Sequence, residues 1–160
     1  MPPYAYMYGL PYEYYDKYHI RRYGAHGTSH QFVAKKGAEM VGLDLNNSRI
    51  ITCHIGNGSS ITAIVNGKSI DTSMGLTPLE GLVMGTRCGD VDANAVLYMM
   101  KKENLTPDQM YDIVNKKSGF LGVSQKTSDA RELDELANNG DRQAKLVLKM
   151  LTFQIGRAHV

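Results

Sequence analysis

Three short stretches of this 160-residue chain carry side chains suited to handling an anion. One is His54-Ile55-Gly56-Asn57-Gly58, where Gly56 and Gly58 lack Cβ, so backbone amides can turn and come close to a ligand. Asn57 adds a side chain that both donates and accepts hydrogen bonds. In the second, Arg21-Arg22-Tyr23-Gly24-Ala25-His26-Gly27-Thr28-Ser29-His30, two glycines flank His26 and leave its ring approachable. The third is Gly85-Thr86-Arg87-Cys88-Gly89, whose small residues leave a guanidinium free to grip an anion bidentately. Each also has a plainer reading: a hairpin bend, a structural histidine, a surface arginine. The spacing at 54–58 is neither a Walker A loop nor a dinucleotide fingerprint.

Elements must hold these stretches. Ile50-Ile51-Thr52-Cys53 is a β-rich run that reads as a strand buried in the middle of a sheet. Ser59–Val65 follows as a second strand, Asn66-Gly67 is the dipeptide of a tight hairpin, and Lys68–Thr72 starts a third. Upstream, residues 1–23 hold eight of the ten tyrosines and three of the five prolines. That composition predicts extended or turning backbone packed on a neighbouring body. Thr28 and Ser29 offer N-cap hydroxyls for a helix from about His30 to Met40, with Phe32, Val33 and Met40 on or near one apolar face and Gly37 costing about 1 kcal/mol against alanine.

Downstream, Ser73–Asp90 is a long connection that its four glycines and one proline keep irregular. Asp90 reads as the cap of a helix to about Glu103 that turns Val91, Ala95, Tyr98 and Met99 inward. Thr106-Pro107 opens another to about Lys117, with Met110, Ile113 and Val114 inward. Ser118–Val123 reads as a short apolar loop or strand. Ser128-Asp129-Ala130-Arg131 starts a helix to about Asn138. A last helix, about Asp141 to Phe153, buries Ala144, Val147, Leu148 and Leu151. A three-stranded sheet leaves open edges, so the chain reads as an α/β piece of something larger.

Formal charge is +2, with 18 basic and 16 acidic residues well mixed, which favours neither nucleic acid nor membrane as a partner. Two cysteines make no disulfide framework and fit no zinc spacing. With no apolar run near the roughly 20 residues of a membrane span and no signal-peptide pattern, the expectation is a cytoplasmic location.

Four motifs carry a close resemblance to a known family: residues 21–30 as spelled out above, Cys-His-Ile-Gly-Asn-Gly-Ser-Ser at 53–60, Asp-Thr-Ser-Met-Gly-Leu-Thr-Pro-Leu-Glu-Gly at 71–81, and Met-Gly-Thr-Arg-Cys-Gly-Asp at 84–90. In this order they resemble the acetate kinases, over about Met1 to Phe153. The resemblance implies the duplicated ribonuclease-H-like fold of sugar kinases, Hsp70 and actin, in this chain an incomplete sheet with flanking helices. ATP sits in that fold between two α/β domains. Residues 1–29 then close the first domain and cross over, and 30–154 form the first half of the second, nucleotide-binding domain.

The resemblance also implies roles. His26 and Arg87 match the residues held to stabilise the transition state. His54, Ile55, Gly56, Asn57 and Gly58 match the loop that binds the ATP phosphates. Asp129, Ala130 and Arg131 match a second nucleotide-contacting segment, and Ala25 and Pro78 match walls of the acetate pocket. The implied reaction is reversible transfer between ATP and acetate, giving acetyl phosphate and ADP. Mg2+ ligands are expected outside this segment, and a homodimer is expected of the full-length enzyme.

Departures from the family pattern sharpen the reading. Ala25 stands where phenylalanine is usual, which enlarges the acyl pocket and points to tolerance for propionate. Cys88 replaces serine and Ala130 replaces methionine, neither removing a charge. Family motifs expected before Met1 and after Val160 are absent, which marks an internal fragment without activity of its own. Ile155–Val160 does not continue the pattern and reads as a non-native tail. Two alternatives stay open: a propionate kinase, and a non-catalytic nucleotide-binding module of the Hsp70 or actin type, which would need neither His26 nor Arg87.

Overall fold

The computed structural model describes residues 1–157, and they fold as two compact units. The first unit takes residues 1–55 and 60–78; the second takes 56–59 and runs on from Leu79.

In the first unit, the tyrosine-rich segment is more helical than its prolines suggest. It forms α1 (Pro3–Tyr6) and α2 (Tyr12–Tyr18). Pro3 occupies the first turn of α1 and Pro11 caps α2, positions where a missing N–H does no harm. Tyr6 stacks on Tyr15 and Tyr14 on Tyr18, while the Arg21 guanidinium lies 4.3 Å and 4.6 Å from the ring centres of Tyr6 and Tyr23. Arg22 Nη1 donates to the carbonyls of Thr72 and Ser73, and the amides of Tyr23 and Gly24 donate to that of Gly75. The aromatic segment is thus tied to the end of the sheet.

Helix α3 spans Gly27–Met40, three residues earlier than expected. Its N-cap is His26, at φ 60° and without a side-chain cap bond, so Thr28 and Ser29 lie inside the first turn. The inward face is also different. His30, Ala34 and Ala38 are buried at i, i+4, i+8 spacing, whereas Phe32, Val33 and Met40 are exposed. Small side chains let α3 lie close on β1 (Arg49–Ile55), and a buried histidine is tolerated because hydroxyls satisfy both ring nitrogens.

The sheet has order β1-β2-β3, with β2 at Ser59–Val65 and β3 at Lys68–Thr72. β2 pairs antiparallel with β3, Thr62 opposite Thr72 and Val65 opposite Lys68, with an irregularity between Ala63 and Ile64. Asn66 (φ 50°) and Gly67 (φ 74°) make the expected hairpin turn, which needs two positive φ values. The central position belongs to β2, not β1. β1 is an edge strand, and Ile51, Cys53 and Ile55 are exposed on it. A run of β-branched residues signals a strand but not its place in the sheet.

The second unit is built on a cluster of Val83, Phe120, Leu133, Ala137, Ala144 and Val147. Residues 79–90 are irregular, as expected, yet Leu82, Val83 and Met84 in them are buried. α4 (Ala93–Glu103) is capped by Asp92, whose carboxylate accepts from the Asn94 amide, while Asp90 accepts from the Gly81 amide. Nothing in α4 is buried; Val91, Tyr98 and Met99 are exposed rather than inward, and so is Ala95. α5 (Pro107–Lys116) has a full capping box from Thr106 and Gln109 and buries Met110.

α6 (Gly119–Ser124) is a short helix where a loop or strand was expected, because Phe120 and Leu121 donate their amides to the carbonyls of Met84 and Gly85. α7 (Ala130–Asn138) and α8 (Arg142–Arg157) pack on each other, and α6 packs on α8. Ala144 and Val147 are buried, with Leu148 and Leu151 packed beside them. Ile155–Arg157 continues α8, and the remaining residues of the expected tail, 158–160, lie outside the described residues. Among the described residues no helix is long and apolar enough to cross a membrane.

Candidate active site

In the first unit, α3 and the sheet bring three histidines into one cluster. His26 Nδ1 is 2.9 Å from Ser60 Oγ on β2. The buried His30 bridges two strands, with Nδ1 2.7 Å from Thr52 Oγ1 and Nε2 2.7 Å from the same Ser60 Oγ. His54 Nδ1 is 2.9 Å from Ser29 Oγ on α3, and its ring lies face to face with that of His26. Burial, with the His26 and His54 rings nearby, holds the His30 pKa below its ordinary value, so His30 is neutral near pH 7.

Ala25 lines a pocket of about 120 Å3 together with Tyr23, Gly24, His30, Thr62 and Thr72. Pro78, expected beside Ala25, is exposed and is not among the lining residues. Ile55 closes β1 with an exposed side chain.

The second unit gathers three more of the expected stretches around Gly85. Its amide donates to the Asn57 carbonyl at 3.3 Å, which fixes the bend at Gly56–Gly58 against the loop that carries Arg87. Within that bend Ser59 Oγ donates to the Gly56 carbonyl. A Cβ on Gly85 would stand 3.4 Å from the Ser128 carbonyl, so the residues before Asp129 reach the same spot. The Met84–Arg87 turn is closed by Met84 N to the Arg87 carbonyl, and Ser118 N donates to the Thr86 carbonyl.

Gly119, at φ 63°, sits so close beneath this turn that a Cβ would fall 2.1 Å from the Met84 carbonyl oxygen. Arg87 is half-buried, its Nη1 3.8 Å from Met84 Sδ. Cys88 beside it is also half-buried, and burial pushes its thiol pKa up.

Asp129 caps α7 by accepting from the Arg131 amide and also takes the Arg131 guanidinium through both carboxylate oxygens, at 3.1 Å and 2.6 Å. These bonds hold its pKa down at about 2. Ala130 begins the helix between them. Among the described residues, no group of three His, Cys, Asp or Glu side chains could hold a metal ion.

Sequence reasoning singled out neither Thr52 and Ser60 nor the bridging role of His30, and it offered Ser29 only as a helix cap. The available signal was the four-residue spacing of His26 and His30, which puts both rings on one side of a helix start.

Known structures share this fold closely. The crystal structure of Porphyromonas gingivalis acetate kinase superposes with a TM-score of 0.97 at 48% identity, covering 99% of this chain and 40% of that one. A propionate kinase from Francisella tularensis superposes with a TM-score of 0.93 at 44% identity, covering 98% of this chain and 40% of that one. The fold is therefore the ribonuclease-H-like α/β fold of these carboxylate kinases.

Sequence carries the assignment further. The family model described as the Acetokinase family matches residues 1–159. Acetate kinase of Dictyoglomus turgidum is 59% identical over 155 residues, 97% of this chain and 38% of that protein; that of Methanosarcina thermophila is 55% identical over 155 residues, again 97% and 38%. The chain belongs to the acetokinase family, and it spans about 40% of the length of the relatives it matches.

Proposed function

We propose that this chain is the internal segment of an ATP-dependent kinase that phosphorylates acetate, reversibly, to acetyl phosphate. The observation that carries the reading is the meeting at Gly85 of the Gly56–Gly58 bend, the Arg87 turn and the approach to Asp129. Amides and a guanidinium gathered at one place suit a phosphate chain.

In the reaction an acetate oxygen attacks the γ-phosphorus in line. The new P–O bond forms as the bond to the β-phosphate oxygen breaks, and ADP leaves with the electron pair. Acetate is already ionised near pH 7, so no base is required. The protein's work is positioning and charge stabilisation. Arg87 is read as bidentate donor to the transferring phosphoryl oxygens and His26 as a second donor to them. Residues His54 to Gly58 hold the phosphates, and Asp129 to Arg131 contact the nucleotide.

Mg2+ bound to the nucleotide neutralises phosphate charge. Among the described residues no group of three His, Cys, Asp or Glu side chains would hold it, so its protein ligands are read as lying outside this segment. We read residues 1–29 as the end of the first domain and 30–154 as the opening half of the nucleotide-binding domain. The full-length enzyme is read as a cytoplasmic homodimer. The 160 residues made alone are expected to form no acetyl phosphate in a hydroxamate assay.

The test is Arg87→Ala in the full-length kinase. A fall in kcat of about 10³ with the KM for ATP kept supports the reading. Loss of ATP binding with no other effect favours a non-catalytic nucleotide module. A second reading, propionate as substrate, is supported by Ala25 and the pocket it lines. Ala25→Phe should lower the propionate-to-acetate ratio of kcat/KM, and an unchanged ratio removes that reading.

A further inference from the structure

The histidine cluster contains one continuous hydrogen-bond chain: Thr52 Oγ1, His30 Nδ1, His30 Nε2, Ser60 Oγ and His26 Nδ1, with links of 2.7, 2.7 and 2.9 Å. Each hydroxyl brings one proton to donate, and a neutral imidazole brings one N–H. His30 is 3% exposed and neutral, so it donates from one nitrogen and accepts at the other. Where Ser60 accepts from one ring and donates to the other, the chain can run in two directions.

In one direction Thr52 donates to His30 Nδ1, His30 Nε2 donates to Ser60, and Ser60 donates to His26 Nδ1. The His26 proton is then on Nε2. In the other direction His26 Nδ1 donates to Ser60, Ser60 to His30 Nε2, and His30 Nδ1 to Thr52. A neutral His26 would then have a bare Nε2.

The two directions are not equivalent. Thr52 is 4% exposed, and the partner its hydroxyl finds among the described residues is His30 Nδ1. The second direction leaves the Thr52 hydroxyl proton buried without an acceptor, a costly state. In the first, the protons of both hydroxyls and of His30 are used. Ser60 could also accept from His30 Nε2 and His26 Nδ1 together, as a charged His26 would require, but Ser60 is 0% exposed and its hydroxyl proton would then be buried without an acceptor among the described residues.

We propose that Ser60, backed by His30 and Thr52, is a positioning residue that fixes His26 as the neutral tautomer with its proton on Nε2. This rests on the reading of His26 as a hydrogen-bond donor to the transferring phosphoryl oxygens, and it deepens that reading. A ring held this way donates from Nε2 without first taking up a proton. An orienting partner that sets an imidazole tautomer can govern turnover while never touching substrate.

The test is long-range proton–nitrogen correlation spectroscopy on the chain carrying isotope-labelled histidine. The expected spectrum has His26 with a bare Nδ1 and a protonated Nε2. Ser60→Ala and Thr52→Val should each raise the Nδ1–H population of His26 severalfold, with backbone amide spectra showing that the fold is kept. Thr52 does not bond His26, so its effect reads the chain rather than a local contact. An Nδ1–H form in the unsubstituted protein, or a His26 ring unmoved in both variants, overturns the proposal.

In the full-length kinase Ser60→Ala should lower kcat about tenfold or more with little change in the KM for ATP. His26→Ala separates the two ideas. If turnover survives it, the reading of His26 as a hydrogen-bond donor in the transfer fails while the tautomer result stands on its own.

Discussion

His54 stacks on His26 with ring centres 3.9 Å apart and planes 18° from parallel. Each ring is anchored across the gap between helix and sheet. His26, capping α3, reaches Ser60 on β2, and His54, at the end of β1, reaches Ser29 on α3. The start of the helix and the strands are cross-tied through two rings and two hydroxyls. Removing one ring loosens both ties. His54→Ala should lower stability by about 1 kcal/mol beyond the area lost, measured as the urea midpoint at neutral pH. An unchanged midpoint would mean the stack contributes nothing.

His30 makes stability depend on pH. Its folded pKa lies below the ordinary 6.5, so as pH falls the unfolded chain takes up a proton first. Stability therefore declines as pH drops below 6.5 and continues to decline until the folded-state pKa is passed. His30→Gln should flatten this part of the profile relative to the parent. Parallel profiles for the two proteins would contradict the assignment.

Asp129 acts in a lower window and with the opposite ionisation. Its folded pKa of about 2 lies below the ordinary 3.8, so its contribution is present above 3.8 and disappears as pH falls toward 2. Asp129→Asn should be less stable than the parent near neutral pH, and the gap should close between these two values. Water screens the exposed Arg131 partner, so the gap will be small. A gap that persists unchanged at pH 2 would locate the effect elsewhere.

Two glycine-to-alanine changes should have opposite signs. At Gly119 the added Cβ meets the Met84 carbonyl oxygen at 2.1 Å and φ is 63°, so Gly119→Ala should cost about 2 kcal/mol or more. At Gly37, exposed on α3, nothing lies within 4 Å, so Gly37→Ala should add about 0.5–1 kcal/mol. Thermal midpoints of the two variants decide the matter.

How much of this could be read in advance varies with the kind of signal. The three strands, the Asn66-Gly67 turn, the capping at Thr106, the helix start near Asp129, and the inward residues of the last helix were legible. Each follows from local turn chemistry or a strong apolar stripe. The inward faces of α3 and α4 were not legible. Burial on α3 follows Ala34, Ala38 and a histidine, which hydrophobicity ranks below Phe32 and Met40. On α4, Leu97, Tyr98 and Met99 are exposed and nothing is buried. The expected site stretches fall into one histidine cluster and one gathering at Gly85. The hydroxyls of Ser60 and Thr52 stayed hidden because a buried serine or threonine in a strand has no signature until its partner is known.

The Met84–Arg87 turn is fastened by main-chain amides and carbonyls, through Met84, Thr86, Phe120 and Leu121. Such fastening is indifferent to the side chains mounted on it. Scanning this region should therefore sort into two phenotypes: changes at Arg87 would read out as chemistry in a correctly built loop, whereas changes at Gly119, where a Cβ would meet the Met84 carbonyl oxygen at 2.1 Å, would read out as misassembly.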